Sequence, residues 1–336
     1  MSNDNKTKGF KMKALKVGIL SAVIGLTGYI QWASVEPDLM SNKEMLATVG
    51  VDESVHGKVV GDATTASLIF TMETLLNKNG GYQSNDLLIK ARLYDNIANW
   101  EKGVVFMARD MGNALRTEFS RSQSQSVEDK ALKNATPKLN FDTDSWMLPS
   151  TESQYQEGID GFRDYLSRIS DPTVPNAQFY ARSDSLTYWL DLVSKRLGSY
   201  SQQLSAAIAK ERINTDLAGD ANAEQSTESS EEVHVKTPWL KLDDVFYEAR
   251  GASWALVMYL RAVEDDFASV LADKNALVSL KQVIRELEGT QETMYSPMVL
   301  NGSPFGFTAN HSLAMANYIS RANAAIIDLR DLLNRG

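Results

Sequence analysis

The chain has no cysteine and only three histidines among its 336 residues. Without thiols, the chain can form no disulfide bridge, thiolate metal site or cysteine nucleophile. The histidines His56, His234 and His311 do not pair at metal-ligand spacing, and none belongs to an HExxH motif. A Walker loop, a GxGxxG motif and a GxSxG motif are also missing. We therefore expect no metal, no cofactor and no catalytic residues, and favour a protein that is not an enzyme.

Beyond the first segment of the chain, acidic residues outnumber basic ones. Five lysines against Asp4 and Glu36 give residues 1–36 a charge of +3, so with −9 overall the remainder carries −12. An acidic domain repels the phosphate backbone of nucleic acids. We expect no nucleic-acid partner.

One long apolar run is present, ALKVGILSAVIGLTGYIQWA at residues 14–33. At about 1.5 Å per residue, twenty helical residues reach about 30 Å, the thickness of a bilayer's hydrocarbon core. Lysines lie at its start and aromatic rings near its end, where the headgroups of the two leaflets would be. The sequence predicts a single transmembrane helix with the lipid bilayer as partner, anchored by Lys11, Lys13, Lys16, Tyr29 and Trp32.

The lysine excess before the run predicts that residues 1–13 are a basic cytoplasmic tail. Residues 34–336 would then form a domain on the other side of the membrane, in the periplasm or its equivalent. A cleaved signal peptide is the main alternative, but the run is longer than the usual apolar region of about 7 to 15 residues. Gln31 also occupies a position where a small-x-small cleavage site ending at Ala33 needs a small residue. A buried core helix, the third alternative, would not explain the lysines.

Small residues follow one face of this predicted helix at Gly18, Ala22 and Gly25. Such a face lets two membrane helices approach closely, so it predicts association with a second copy or with another membrane protein. Glycine and alanine are also common in membrane helices in general, which is the alternative explanation.

The rest of the chain predicts an all-α fold. Apolar residues recur at helical spacing in several segments, for example at Val104, Ala108, Met111, Leu115 and Phe119. No segment alternates with period two, and no βαβ rhythm appears. We expect an antiparallel bundle of about seven helices after the transmembrane helix.

Five local expectations accompany this fold. Ser41 and Glu44 fit a capping box, and Asp62 fits the N-cap of the next helix. Residues 137–149 are predicted to be extended or looping, with Phe141, Trp146 and Leu148 plugging the core. Residues 214–236 predict a flexible acidic loop, either between two subdomains or within one domain. The acidic run at residues 264–266 predicts a solvated helix face.

Polar and aromatic residues in two segments suggest a groove that could bind carbohydrate or peptide. The candidate groove residues are Tyr82, Asn85, Asp86, Asn99 and Trp100. The alternative is that these side chains only close turns and cap helices.

The stretches GGYQSND (80–86), NWEKGVVFMARDMGNALRTEFSRSQSQS (99–126), SWMLPS (145–150) and FYARSDSLTYWLDLVSKRLGS (179–199) resemble one family. It is an uncharacterised family of bacterial, chiefly proteobacterial, envelope proteins, known only as a domain of unknown function. The resemblance implies a bacterial source and a membrane location, and it carries no catalytic residues. We expect a periplasmic scaffold or interaction domain; the alternatives are an envelope-glycan (peptidoglycan) binding or cleaving protein and an accessory subunit of a transport or secretion complex.

Overall fold

A computed structural model describes most of the chain. The described residues are 2–51, 59–86, 95–122, 127–171, 173, 176–206, 210–213, 232–235, 237–238, 241–296, 298–303 and 307–335.

The described residues form eleven α-helices and one short two-stranded ribbon, so the predicted all-α class is confirmed. The elements are α1 Ser2–Ala33, α2 Asn42–Val49, α3 Asp62–Asn77, α4 Asn96–Ala114 with a π-helical turn Leu115–Phe119, α5 Lys130–Leu139, α6 Thr151–Ser170, α7 Ser183–Ser205, β1 Lys210–Ile213, β2 Glu232–Val235, α8 Leu242–Asp266, α9 Ala268–Asp273, α10 Leu277–Glu288 with a 3-10 turn Gly289–Gln291, and α11 His311–Asn334. Ten helices follow α1 rather than about seven, partly because a break at Phe267 separates α9 from α8.

The core is one contiguous apolar cluster with α4 and α8 at its centre. The five residues of the predicted stripe from Val104 to Phe119 are all fully buried, as the helical spacing indicates. Helix α7 packs on α11, and α5 packs on α6. The predicted capping box is also confirmed: Ser41 accepts from the Glu44 backbone, and the Glu44 carboxylate accepts from the Ser41 backbone.

Residues 137–149 agree with the prediction only in part: residues 140–149 form a loop whose Phe141 packs against the core, but residues 137–139 are helical. Pro137 lies inside α5, whose residues Leu132, Ala135 and Leu139 are buried. This proline is close enough to the helix end that packing against α6 outweighs the loss of one backbone hydrogen bond. Trp146 and Leu148 do not plug the core; both are exposed.

The start of α3 is capped from another helix. The prediction that Asp62 caps it was wrong: the N-cap is Gly61, whose positive φ of 100° suits glycine, and it offers no side chain. The buried carboxylate of Asp266, at the end of α8, accepts from Gly61 N at 2.8 Å and Thr64 N at 2.6 Å. Asp266 is therefore not part of a solvated face. Burial raises the pKa of Asp266 to about 7, and the donors from Thr64 and Gly61 oppose this rise.

Asp266→Ala is expected to lower the free energy of unfolding by about 2 to 3 kcal/mol, because two buried backbone donors lose their acceptor. Urea denaturation followed by circular dichroism measures the change. Asp265→Ala is the matched control, since the neighbouring Asp265 is exposed and accepts from the Asn42 side-chain amide at the surface. Equal losses for the two variants would contradict a capping role for Asp266.

The acidic segment 214–231 lies outside the described residues. The residues on either side of this segment lie next to each other, because β1 and β2 pair antiparallel with Ile213 opposite Glu232. The last residues of the predicted loop, Glu232–Val235, thus form a strand.

Candidate functional site

Helix α1 is the one helix of the described residues that is long and apolar enough to cross a membrane, over Leu15–Ala33. Its side chains from Leu15 to Tyr29 are exposed, so the domain does not cover them. An apolar surface of this length in water is unfavourable, since burying a single large apolar side chain is worth about 1.5–3 kcal/mol. The helix starts at Ser2, so residues 2–13 are helical, and their place in a cytoplasmic tail stays a prediction.

The last residue of α1 is built into the domain. Ala33 is buried, and its carbonyl accepts from the buried amide of Gln83 at 2.7 Å. Gly80, with a φ of +79°, lies against it: a Cβ on Gly80 would be 2.8 Å from the Ala33 Cβ. Glycine is required here by both conformation and space. No flexible linker separates α1 from the domain.

A buried ion pair supports the loop that holds Ala33. Lys78 Nζ lies 2.7 Å from Glu101 Oε1, and the two side chains are 2% and 0% exposed. The Glu101 carboxylate also accepts from Gln83 N, from Ser84 N and from Ser84 Oγ. Burial raises the pKa of Glu101, and the Lys78 ammonium together with these donors opposes the rise. The pair fixes the end of α3 against the start of α4.

The segment after α1 lies along α8. Arg250 Nε donates to Glu36 at 2.6 Å, and Trp254 Nε1 donates to the carbonyl of Asp38 at 3.2 Å. Further along, Arg261 donates to the carbonyl of Met40. These contacts hold residues 36–40 along α8 and set the path by which the chain leaves α1.

The predicted anchoring residues lie along α1. Lys13, Lys16, Tyr29 and Trp32 are exposed, and the Tyr29 and Trp32 rings lie 5.9 Å apart. The side chain of Lys11 lies outside what is described. Contact of the five anchoring residues with lipid stays a prediction.

The predicted helix-association face is open. A Cβ on Gly18 or Gly25 would have nothing within 4 Å apart from the adjoining backbone of α1 itself, and Ala22 is exposed. A partner helix could approach here, and this role also stays a prediction.

The predicted groove residues do not line a common groove. Trp100 is fully buried, the Tyr82 hydroxyl donates to the carbonyl of Thr143, and the buried Asn85 amide donates to the carbonyl of Ser145. Asp86 is exposed and Asn99 is half-buried. The structure assigns the first three side chains to internal contacts, and no ligand-binding role is tested.

Three half-buried carboxylates come together where α4 and α8 begin. Oxygen atoms of Asp95, Asp243 and Asp244 lie within 4.8 Å of one another, a spacing at which they could share a cation. Asn99 donates to Asp244 at 2.9 Å. Burial, followed by the charges of Asp95 and Asp243, raises the pKa of Asp244 to about 6.

The raised pKa predicts a pH dependence of stability. Because the folded chain holds the Asp244 proton more tightly than the unfolded chain, stability should fall as pH rises through about 6. Asp243→Asn removes one neighbouring charge, so it should stabilise the fold at pH 7 and make the fall in stability between about pH 4 and pH 6 smaller. Asp328→Asn, on the exposed face of α11, should leave the profile unchanged. Thermal unfolding over this pH range measures the effect, and parallel profiles for wild type and Asp243→Asn would contradict it.

The residues that join α1 to the domain were missed in the sequence. One signal was available: Glu101 and Arg250 are charges on otherwise apolar helix stripes, and both are buried. Their partners could not be read from the sequence, since Arg250 and Glu36 are 214 residues apart.

Neither the curated proteins nor the solved structures contain a match to this chain. A family model described as an uncharacterised protein conserved in bacteria matches residues 5–336, nearly the whole chain and all its helices from α2 onward. The predicted resemblance to an uncharacterised bacterial family is thereby confirmed. The chain belongs to the DUF2333 family of bacterial proteins.

Proposed function

We propose that the chain is a single-pass protein of the bacterial inner membrane that holds a helical scaffold or interaction domain at the periplasmic face. One observation carries the proposal: α1 exposes apolar side chains from Leu15 to Tyr29 while its last residue, Ala33, is buried in the domain. A bilayer would cover the exposed part and leave the buried part in place.

The charge distribution supports the orientation. Lysines 6, 8, 11, 13 and 16 precede or begin the span, whereas Glu36 and Asp38 follow it. Lysine-rich flanks stay in the cytoplasm, so the domain would lie on the opposite side.

The junction supports a retained helix rather than a cleaved signal peptide. Cleavage after Ala33 would remove the helix but leave its binding site, because the buried Gln83 amide donates to the Ala33 carbonyl. The Gln83 amide would keep only its longer bond to the carbonyl of Asn79 at 3.3 Å, and a buried N–H without an acceptor costs about 1–3 kcal/mol. A domain shaped around the end of α1 is the arrangement expected of a permanent anchor.

The fixed junction also supports a scaffold role. A domain that cannot swivel presents the same surfaces at a constant height and angle above the membrane. The open small-residue face of α1 offers a way to pair two such domains or to dock one beside another membrane protein.

Alkaline carbonate extraction of cell membranes tests the anchor. Wild-type protein should stay in the membrane pellet at full length. Leu20→Arg/Ile24→Arg should move it to the soluble fraction, because two central arginines make insertion costly. Lys281→Arg, on the exposed side of α10, is the control and should stay in the pellet. Soluble wild-type protein that lacks its first 33 residues would contradict the proposal.

A further inference from the structure

One end of the bundle faces the anchor helix. Helix α1 ends at Ala33, beside the loop that joins α3 to α4. Residues 36–40 then follow α8 from Arg250 to Arg261. Because the chain moves away from α1 along these residues, α8 begins at the anchor side and runs away from it.

Helix α10 returns to this end. Near the start of α10, Lys281 pairs with Glu264, which lies near the far end of α8. Just after the end of α10, the carbonyl of Thr290 accepts from Arg250, which lies at the anchor side of α8. The segment that joins α10 to α11 therefore begins at the anchor side. We call its described residues, 293–296, 298–303 and 307–310, the Tyr295 loop.

A second loop lies at the same end, between α5 and α6. We call residues 142–150 the Trp146 loop. Two side chains of the α3–α4 connection, Tyr82 and Asn85, one on each side of Gln83, hold this loop. The Tyr82 hydroxyl donates to Thr143 O at 2.9 Å. The Asn85 amide donates to Ser145 O at 3.0 Å. The loop is thus linked to the residue that binds Ala33.

The two loops expose a concentration of apolar side chains. Leu148 is 100% and Tyr295 is 95% exposed, far more than a folded domain in water requires. Beyond α1, six of the thirteen exposed large apolar side chains in the described residues belong to these loops: Trp146, Met147, Leu148, Tyr295, Met298 and Phe307. An apolar surface gathered at one end of a protein indicates an interaction site.

The short connection between α1 and the domain indicates what covers this apolar surface. Only two residues separate Ala33 from Glu36, and three extended steps span at most about 11 Å. Trp32, immediately before Ala33, suits the headgroup layer, which is about 5–8 Å deep on each side of the hydrocarbon core. The end of the bundle that surrounds Ala33 is therefore held at the depth of the headgroups.

We propose that the Trp146 loop and the Tyr295 loop insert their apolar side chains into the headgroup region of the bilayer that α1 spans. The inference rests on the proposed anchoring by α1. The domain then contacts the membrane at three places and lies on its surface. Aromatic and long apolar side chains on an otherwise polar surface are the usual means of such interfacial contact.

The contact is apolar rather than electrostatic. Asp142, Asp144 and Glu152 lie in or beside the Trp146 loop, and carboxylates are repelled by anionic lipids. Insertion should therefore occur in zwitterionic phosphatidylcholine, and added phosphatidylglycerol should not be needed.

Site-specific fluorescence tests the proposal on the full-length chain, which has no native cysteine to interfere. Leu148→Cys and Met298→Cys are labelled with an environment-sensitive dye and reconstituted in phosphatidylcholine vesicles that carry a quencher at headgroup depth. Both labels should shift their emission to the blue and lose most of their intensity. Val278→Cys, 76% exposed at the far end of the bundle, is the matched control and should do neither.

A label at Val23→Cys in α1 separates the two proposals. If it is quenched by a deep lipid quencher while the loop labels behave like the label at position 278, α1 spans the bilayer but the loops do not insert. If it is not quenched, the anchor itself is wrong. Loop quenching that requires phosphatidylglycerol, or shielding seen only in native membranes, would also overturn the proposal in favour of electrostatic attraction or of a protein partner.

Discussion

Glu101→Ala is expected to lower the free energy of unfolding by about 3–5 kcal/mol, the cost of breaking a buried ion pair by removing one partner. The substitution leaves the Lys78 ammonium, 2% exposed, without its counter-charge. It also removes the acceptor for the backbone donors of Gln83 and Ser84. Because Gln83 binds the end of α1, loosening this loop should also loosen the junction.

Chemical denaturation of the reconstituted protein measures the loss. Glu157→Ala is the matched control, since its pair with Lys138 is exposed and should contribute little. Glu101→Gln should cost less than Glu101→Ala, because the amide oxygen can still accept from Gln83 N and Ser84 N. A Glu101→Ala variant as stable as Glu157→Ala would show that the pair does not support the junction.

Gly251→Ala is expected to cost about 3 kcal/mol or more, although alanine favours a helix by about 1 kcal/mol. A Cβ at position 251 would lie 2.0 Å from the carbonyl oxygen of Trp100. The reciprocal position is Gly103, where an added Cβ would lie 1.9 Å from the carbonyl oxygen of Glu248. The obstructing atoms are backbone, so α4 and α8 must move apart and separate Trp100 from Trp254, whose rings now lie 5.1 Å apart.

Gly198→Ala in α7 is the matched control. Its nearest neighbour would be Asn323 Nδ2 at 3.7 Å, an ordinary contact, so this change should stabilise the protein by up to about 1 kcal/mol. Thermal unfolding and tryptophan fluorescence report both effects. If Gly251→Ala and Gly198→Ala shifted the melting temperature alike, the close crossing of α4 and α8 would be wrong.

Features set by neighbouring residues could be predicted from the sequence. The stripe through Val104, Met111 and Phe119 follows from helical geometry, and the capping box at Ser41 needs only the backbone beside it. For the same reason the all-α class and the exposed apolar helix could be predicted. These features depend on spacings of three and four residues.

Features set by residues that are distant in the sequence could not be predicted. The acceptor that caps α3 is Asp266, about 200 residues from Gly61, and nothing near Asp62 indicates it. In the same way, Tyr82 and Trp100 look like groove residues in a loop, yet packing from other helices buries both.

The exposed apolar residues were misread for a different reason. The sequence pattern predicts burial of Trp146 and Leu148 because large apolar side chains are usually found inside proteins, yet both are exposed. In a membrane-anchored chain a bilayer offers a second apolar environment. The prediction of a transmembrane helix and the assignment of nearby apolar residues should therefore be made together.

The central claim is that α1 spans the inner membrane and holds the domain on its periplasmic side. Labelling of single-cysteine variants with a membrane-impermeant maleimide tests it most directly, because the native chain has no cysteine. Val278→Cys in the domain should be labelled in cells with a permeabilised outer membrane, and Ser2→Cys should be labelled only after the inner membrane is broken. Labelling of Ser2→Cys in unbroken cells, or protection of Val278→Cys until lysis, would contradict the claim.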